Sequence, residues 1–156
     1  MALTRIVSLL SILLLAGCST LAGGNSLPAG LAGAGSLSLS YIDTPDAPER
    51  VQSGLRSAFL SESAQRGIVF DPSLNGTVRI FGYVSFAAST AGTLTIFVFD
   101  FADEAGNRLL RMSGQFNSLQ SPADPWAVVD DNAILAMTSQ ALDEFEAWLA
   151  ENNVGV

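Results

Sequence analysis

The chain has 156 residues, with seven arginines and no lysine against fifteen acidic residues, so its formal net charge is −8. The lack of histidine excludes Ser-His-Asp catalysis and most zinc sites, and the lack of lysine excludes Schiff-base chemistry and a phosphate-binding P-loop. The single cysteine excludes an internal disulfide framework, and the excess of acidic residues opposes nucleic-acid binding. We therefore expect a protein of one domain with no catalytic residues, no metal, no cofactor and no nucleic-acid partner.

The first 17 residues have the layout of a secretory signal peptide. Arg5 supplies a positive charge, and residues 6–15 form an apolar run about half as long as the ~20 residues that span a bilayer. The sequence LAGC follows at residues 15–18 and resembles the lipobox of bacterial lipoproteins. This resemblance implies cleavage before Cys18, a diacylglycerol on the Cys18 thiol and acylation of the new amine. The alternative, a buried free cysteine after a transmembrane helix, is disfavoured by the short apolar run.

The residues after the cysteine indicate the cellular location of the protein. In lipoproteins with this signal, aspartate at the next position means retention in the inner membrane, so Ser19 implies a lipid-anchored outer-membrane protein facing the periplasm. The alternative location, on the outer surface of the cell, is not excluded by this rule. Residues 18–36 hold the anchor and an uncharged segment rich in Gly, Ala and Ser, which is typical of a flexible linker. Alternatively, three leucines of this segment dock on the domain or the lipid: Leu21, Leu27 and Leu31.

Residues 37–156 are predicted to form one α+β domain in the order β-α-β-β-β-α. Alternating apolar and polar residues at 36–41 indicate a half-buried first strand. Asp46 followed by Glu49 resembles a capping box and predicts the start of a helix. Gly67 is suited to the left-handed residue that ends this helix.

A short strand at residues 68–71 and three longer strands follow, with bounds 77–87, 93–102 and 107–116. Residues 104–106 have the composition of a three-residue hairpin loop, with Gly106 left-handed. The cross-strand pairs that this loop predicts are Asp103 with Asn107, Val98 with Met112 and Phe99 with Arg111.

The longest helix begins after Asp130 or Asp131 and extends to about Glu151. Its predicted apolar face consists of Ile134, Met137, Ala141, Leu142, Phe145, Trp148 and Leu149. Two amphipathic helices and an antiparallel sheet of about four strands favour a two-layer sandwich.

The strand at residues 93–102 is apolar on both faces, one with Leu94, Ile96 and Val98, the other with Phe97, Phe99 and Phe101. A sheet with helices on one side should have a polar opposite face. We interpret the aromatic face as an exposed surface, edged by arginine, that binds a partner protein or an acyl chain. Its residues are Phe97, Phe99, Phe101, Phe81, Tyr83, Arg79 and Arg111. The alternative is that the linker, a loop or a self-contact covers this face.

The carboxylates offer no positioned catalytic pair. Asp100 and Asp103 lie near a strand end, and Asp130 and Asp131 are adjacent, whereas a glycosidase holds two carboxyls across a cleft. We interpret them as a turn and a helix cap. Trp126 is expected to pin a loop to the core rather than to recognise a ligand.

Two further stretches carry a resemblance. The sequence VFDFADEAGNR at residues 98–108 with SGQ at 113–115, and DPW at 124–126 before a helix ending in AWL at 147–149, resemble small uncharacterised outer-membrane lipoproteins of alphaproteobacteria. The element order is similar to that of the lipoprotein that plugs the lipopolysaccharide export barrel, and to the N-terminal domain of the Tol translocation protein. This likeness concerns fold and address, and it implies no activity.

Two functions remain. The first is a non-catalytic adaptor or accessory subunit in envelope assembly, held at the membrane by its acyl chains and bound to an envelope protein through its sheet. The second is a binding module for a lipid or a small apolar ligand. A sealed core with an exposed sheet face favours the first, whereas a cavity between the layers favours the second.

Overall fold

The computed structural model describes residues 37–154, so the predicted signal peptide, Cys18 and the predicted linker lie outside the described residues. The predicted α+β class is confirmed, with one sheet and two helices. The elements in chain order are β1 (Ser38–Asp43), α1 (Glu49–Gln65), β2 (Val69–Phe70), β3 (Val78–Ser89), β4 (Gly92–Asp103), β5 (Arg108–Ser118), a 3₁₀ turn (Pro125–Val128) and α2 (Asp131–Glu151).

The sheet has five strands in the order β2-β1-β3-β4-β5 and is mixed. The prediction of an antiparallel sheet is therefore wrong for β1, and the sheet has one strand more than the predicted number of about four. β1 runs parallel to both neighbours because α1 returns the chain to the end of the sheet where β1 begins. The loop from β2 to β3 must then cross β1. Ser40 holds this loop, since its Oγ donates to the Asp71 carbonyl at 2.8 Å and accepts from the Gly76 N–H at 2.7 Å.

The turn before α1 differs from the predicted capping box. Asp46 has a φ of 63° and does not cap the helix, whose N-cap residue is Pro48. The side chain of Gln52 ties the turn instead, donating to the Thr44 carbonyl at 2.6 Å and accepting from the Thr44 N–H at 3.1 Å. At the other end Gly67 has a φ of 72°, as predicted, because a left-handed residue without Cβ ends the helix at little cost.

Both helices pack on one side of the sheet, which we call the inner face. The predicted apolar face of α2 is buried there, apart from the half-buried Trp148. Rings from the two layers meet: Phe101 of β4 stacks on Phe145 of α2 at 4.8 Å, and Phe59 of α1 meets Phe99 edge-on at 5.3 Å. The core therefore lies between β1, β3, β4 and the two helices.

The start of α2 is capped as predicted, because the Asp130 carboxylate accepts from the Ala133 N–H at 2.8 Å. Trp126, in the preceding turn, packs edge-on against Phe86 with ring centroids 5.0 Å apart. It thus pins the connection between β5 and α2 to the core, as expected.

The two helices are joined by Arg66, which follows the last turn of α1. Its guanidinium bonds Glu62 at 2.6 Å on its own helix and Asp143 at 2.9 Å on α2. It also bonds Ser139 and lies 3.3 Å from Glu146. The hydrogen bond to Asp143, and then that to Glu62, raise the pKa of Arg66.

The hairpin from β4 to β5 has the predicted three-residue loop. The Asp103 N–H donates to the Asn107 carbonyl at 2.9 Å, and Gly106 has a φ of 85°. The Asp103 carboxylate accepts from the side-chain amide of Asn107 at 2.9 Å, and this bond lowers the pKa of Asp103.

A β-bulge beyond this loop changes the register. Ala102 pairs with Arg108, but Phe101 pairs with Leu110, so β5 contains one extra residue. The two predicted pairs farther along the strands are therefore wrong. In the structure Val98 lies opposite Ser113, and Phe99 lies opposite Met112.

Candidate binding surface on the outer face of the sheet

The three phenylalanines of β4 do not lie on the exposed face where we expected them. Phe97, Phe99 and Phe101 are 3%, 0% and 0% exposed and point into the core, so their assignment to a partner-binding surface is wrong. Aromatic rings bury more apolar area than the aliphatic side chains of the opposite face, and both helices supply rings to meet them. The opposite face also contains Asp100, whose charge would be costly to bury. Asp100 is the signal in the sequence that could have identified the outer face, but the prediction did not use it.

The other predicted surface residues lie where we expected them. Arg79, Phe81, Tyr83 and Arg111 are on the side of the sheet turned away from the helices, which we call the outer face. They are joined there by the aliphatic residues of β4, namely Leu94, Ile96 and Val98.

The outer face is arranged in rows across β3, β4 and β5. The register sets the rows Arg79–Ala102–Arg108, Phe81–Asp100–Arg111, Tyr83–Val98–Ser113 and Ser85–Ile96–Gln115. Tyr83 is 46% exposed and Ile96 is 39% exposed, and none of the described helices covers them. The surface is thus apolar in the middle and charged at one end.

An ion pair separates the charged end from the apolar middle. The Arg111 guanidinium binds the Asp100 carboxylate with two bonds, from Nε at 2.7 Å and from Nη2 at 2.6 Å. The hydrogen bond to Asp100 raises the pKa of Arg111. Because each charge is matched by the other, the pair leaves little net field on this part of the surface.

A shallow groove of about 340 Å³ lies at the charged end of the outer face. It is lined by Phe81, Tyr83, Asp100, Ala102, Gly106 and Arg108. The groove therefore joins aromatic walls to a cationic end.

A second groove, of about 400 Å³, opens between β5 and the first half of α2. Its apolar lining includes Phe97, Phe116, Val128 and Met137, and its polar lining includes Asn132. This groove was not predicted from the sequence, because its width depends on how far α2 lies from the last strand. Gly114 contributes to the space nearby, since a Cβ atom there would overlap the ring of Phe97.

Metal sites and membrane-spanning helices are both absent between residues 37 and 154. This part of the chain contains no group of acidic or other metal-binding side chains that could hold a metal ion. It also contains no helix both long and apolar enough to cross a membrane.

No protein-family model matches the chain, and no curated protein matches it. Among solved structures, the chain is similar to the DUF330 protein XCC0632 of Xanthomonas campestris, with a TM-score of 0.53 at 7% identity over 77% of this chain and 89% of that chain. It also aligns with lipoprotein GNA1162 of Neisseria meningitidis, with a TM-score of 0.41 at 12% identity over 70% of this chain and 96% of that chain. For the PelC dodecamer of Paraburkholderia phytofirmans the TM-score is 0.42 at 12% identity over 67% of this chain and 83% of that chain. The likeness to XCC0632 shows a shared fold.

Proposed function

We propose that this protein is a non-catalytic, lipid-anchored subunit of the bacterial outer membrane, facing the periplasm, that binds an envelope protein through the outer face of its sheet. The observation that carries the proposal is the apolar middle of that face, where Tyr83 and Ile96 are 46% and 39% exposed on neighbouring strands. The LAGC sequence at residues 15–18 supports the anchor. Lipid at Cys18 would hold the domain beside other membrane proteins.

The chemistry of the outer face supports a protein as the partner. Protein interfaces have an apolar centre, rich in aromatic residues and arginine, inside a polar rim. Here Tyr83, Val98 and Ile96 supply the centre, and the Asp100–Arg111 pair lies at its edge. The strands that carry these side chains are hydrogen-bonded along their length, so the surface is rigid before binding and little order has to be gained.

Photo-crosslinking of the full-length acylated protein in its own membranes tests this proposal. A photoreactive residue at Tyr83 or at Ile96 should give the same discrete protein adduct. The matched control is Leu135 of α2, which is 48% exposed on the other layer and should not give that adduct. Adducts with lipid alone at Tyr83 and Ile96, or the same adduct from all three positions, would contradict a protein partner on the sheet.

The anchor is tested separately. Cys18→Ser should leave an uncleaved precursor without acyl label, because the thiol that receives the lipid is gone. Processing and acylation that persist in this variant would refute the role of Cys18.

A second candidate function is the binding of a lipid or a small apolar ligand in the groove between β5 and α2. Its volume of about 400 Å³ lies within the range of ligand pockets, and Phe97, Phe116 and Met137 give it apolar walls. A photoreactive residue at Phe116 would distinguish this candidate. A lipid adduct at Phe116, without a protein adduct at Ile96, would favour the ligand-binding function over the adaptor.

A further inference from the structure

Two arginines at the charged end of the outer face lack partners. Arg50, Arg66 and Arg111 bind carbonyl or carboxylate oxygens. No hydrogen bond or ion pair joins the guanidinium of Arg79 or Arg108 to any of residues 37–154. The Nε atom of Arg79 is buried and has no acceptor within these residues. Buried donors usually have an acceptor. The Nε atom of Arg56 on α1 also lacks one, so the orphaned donor does not by itself identify a site. What distinguishes Arg79 is a second unpaired arginine, Arg108, in the same row of the sheet.

The register brings these two arginines to the same place. Arg79 of β3 lies opposite Ala102 of β4, and Ala102 lies opposite Arg108 of β5. Strands are spaced by about 4.8 Å, so the Cα atoms of the two arginines are about 10 Å apart on one face. Ala102 between them has only a methyl side chain and is 6% exposed, so no long side chain stands between the two arginines in this row.

The neighbouring groove adds an apolar site to this cationic one. Ala102 and Arg108 line the groove of about 340 Å³ together with the rings of Phe81 and Tyr83. The carboxylate of Asp100 also lines it, but both oxygens of this group are bonded by Arg111. An anion at this end of the groove would therefore meet the unpaired Arg108 of its lining, with the unpaired Arg79 in the same row, and a carboxylate that is already neutralised.

We propose that this end of the sheet binds an anionic amphiphile, with its phosphate or carboxylate between Arg79 and Arg108 and its apolar chain along Phe81 and Tyr83. Guanidinium groups bind such anions through paired hydrogen bonds of fixed geometry. The net charge of −8 repels anions at a distance, so the apolar chain has to contribute to affinity. The site shares Tyr83 with the proposed protein interface, whereas Arg79, Phe81 and Arg108 lie in the two rows outside it. Crosslinking at Ile96 and protection of Arg79 and Arg108 therefore report the two functions separately.

The test uses hexyl phosphate as the probe and the full-length acylated protein in phosphatidylcholine vesicles. Phenylglyoxal modifies accessible guanidinium groups, and mass spectrometry of the peptides reports the rate at each arginine. Hexyl phosphate should slow the modification of Arg79 and Arg108 and leave that of Arg56 on α1 unchanged. Half-protection should need at least about tenfold less hexyl phosphate than inorganic phosphate, and hexyl glucoside should not protect.

Phosphatidylglycerol in the vesicles distinguishes the source of the anion. Protection by phosphatidylglycerol alone would identify the membrane as the source. Protection only on addition of hexyl phosphate would identify a soluble amphiphile. Both results support the site.

Variants test each arginine in turn. Arg79→Gln should raise the hexyl phosphate concentration that half-protects Arg108 by about tenfold or more, since a hydrogen bond to a charged group is lost. Arg108→Gln should raise the concentration that half-protects Arg79 by a similar factor. Arg108→Lys keeps the charge but lacks the planar guanidinium group, so it should have an intermediate effect. Arg56→Gln removes the same charge from the other layer and should have no effect.

Three outcomes would overturn the proposal: no protection of Arg79 and Arg108 in the unaltered protein, equal protection by inorganic phosphate, or unchanged protection in Arg79→Gln. The first two do not involve a substitution, so they decide the matter even if a variant fails to fold.

Discussion

The two faces of β4 are both apolar, yet they have opposite roles. On the inner face Phe99 is fully buried and meets Phe59 of α1, and Phe101 stacks on Phe145 of α2. On the outer face Ile96 is 39% exposed and Val98 is partly exposed. Apolar composition alone therefore does not identify the core face of a strand. The face is decided by which side chains find partners in the second layer and which face contains a charge.

The largest expected effect is at the inner face. Phe99→Ala should lower the free energy of unfolding by about 3–5 kcal/mol, because it leaves a cavity between α1 and the sheet. Denaturant unfolding followed by circular dichroism measures this change. A loss below about 1 kcal/mol would mean that the inner face of β4 is not part of the core, and the roles assigned to its two faces would be wrong.

The next effect depends on pH and concerns Tyr41, a fully buried residue of β1 on the same inner face. The Tyr41 hydroxyl is hydrogen-bonded to Thr44 at 2.7 Å and to Gln52 at 2.8 Å. The pKa of Tyr41 is raised from 10.0 to about 12, mainly because the hydroxyl is buried. The fold thus favours the neutral phenol, so this contribution to stability is complete below pH 10 and is lost as the pH rises from 10 to about 12. The loss should be about 2–3 kcal/mol.

Denaturant unfolding at several pH values measures the loss, and Tyr41→Phe is the control. Tyr41→Phe should be less stable than the unaltered protein near neutral pH, since it lacks both hydrogen bonds. Its stability should change less between pH 10 and about pH 12. An equal decline in both proteins would show that Tyr41 does not cause it.

A smaller effect is expected where the two helices are held together over the inner face. Arg66→Ala should lower the free energy of unfolding by about 2 kcal/mol, because Glu62, which is only 13% exposed, loses its partner. Asp143→Asn is the matched control. Asp143 is 65% exposed, so its loss should cost no more than about 0.5 kcal/mol. Equal effects of the two substitutions in thermal or denaturant unfolding would mean that the contact between the helices does not depend on the buried part of this network.

The smallest effect belongs to the outer face. Ile96→Ser should change the free energy of unfolding by about 0.5 kcal/mol or less, since the side chain is already in contact with solvent. The same variant should lose the crosslink at Tyr83 if the outer face binds a partner. Strong destabilisation by Ile96→Ser would show that the outer face contributes to the folded core after all.

The error in register shows what a local pattern leaves open. The loop at residues 104–106 was predicted with its length and its left-handed Gly106, because both depend on residues adjacent in the chain. The extra residue at the bulge between Ala102 and Phe101 was not predicted, and it shifts every pair beyond it by one. A bulge is a feature of how two strands pair, so it depends on both strands and not on one short window of sequence.

The two grooves also could not be predicted from the sequence, because each is formed by residues of different elements. The second groove depends on the separation of Phe116 and Met137, which lie on different elements. The meeting of Arg79 and Arg108 depends on two successive registers, one between β3 and β4 and one between β4 and β5. By contrast, the helix cap was narrowed to Asp130 or Asp131 from the sequence, because the group that Asp130 bonds is only three residues away.

The sequence by itself determined the features that arise within a few residues of one another. The apolar stripe of α2, the left-handed Gly67 and the turn at Gly106 follow from helical periodicity and from the freedom of a residue without Cβ. Only the tertiary structure decided that β1 lies parallel between two strands, that Phe99 points to the helices and that Arg79 and Arg108 share one row. Each of these depends on the pairing of segments far apart in the chain. Such pairings are selected by the total burial of apolar surface and by the cost of burying charge, not by any local pattern.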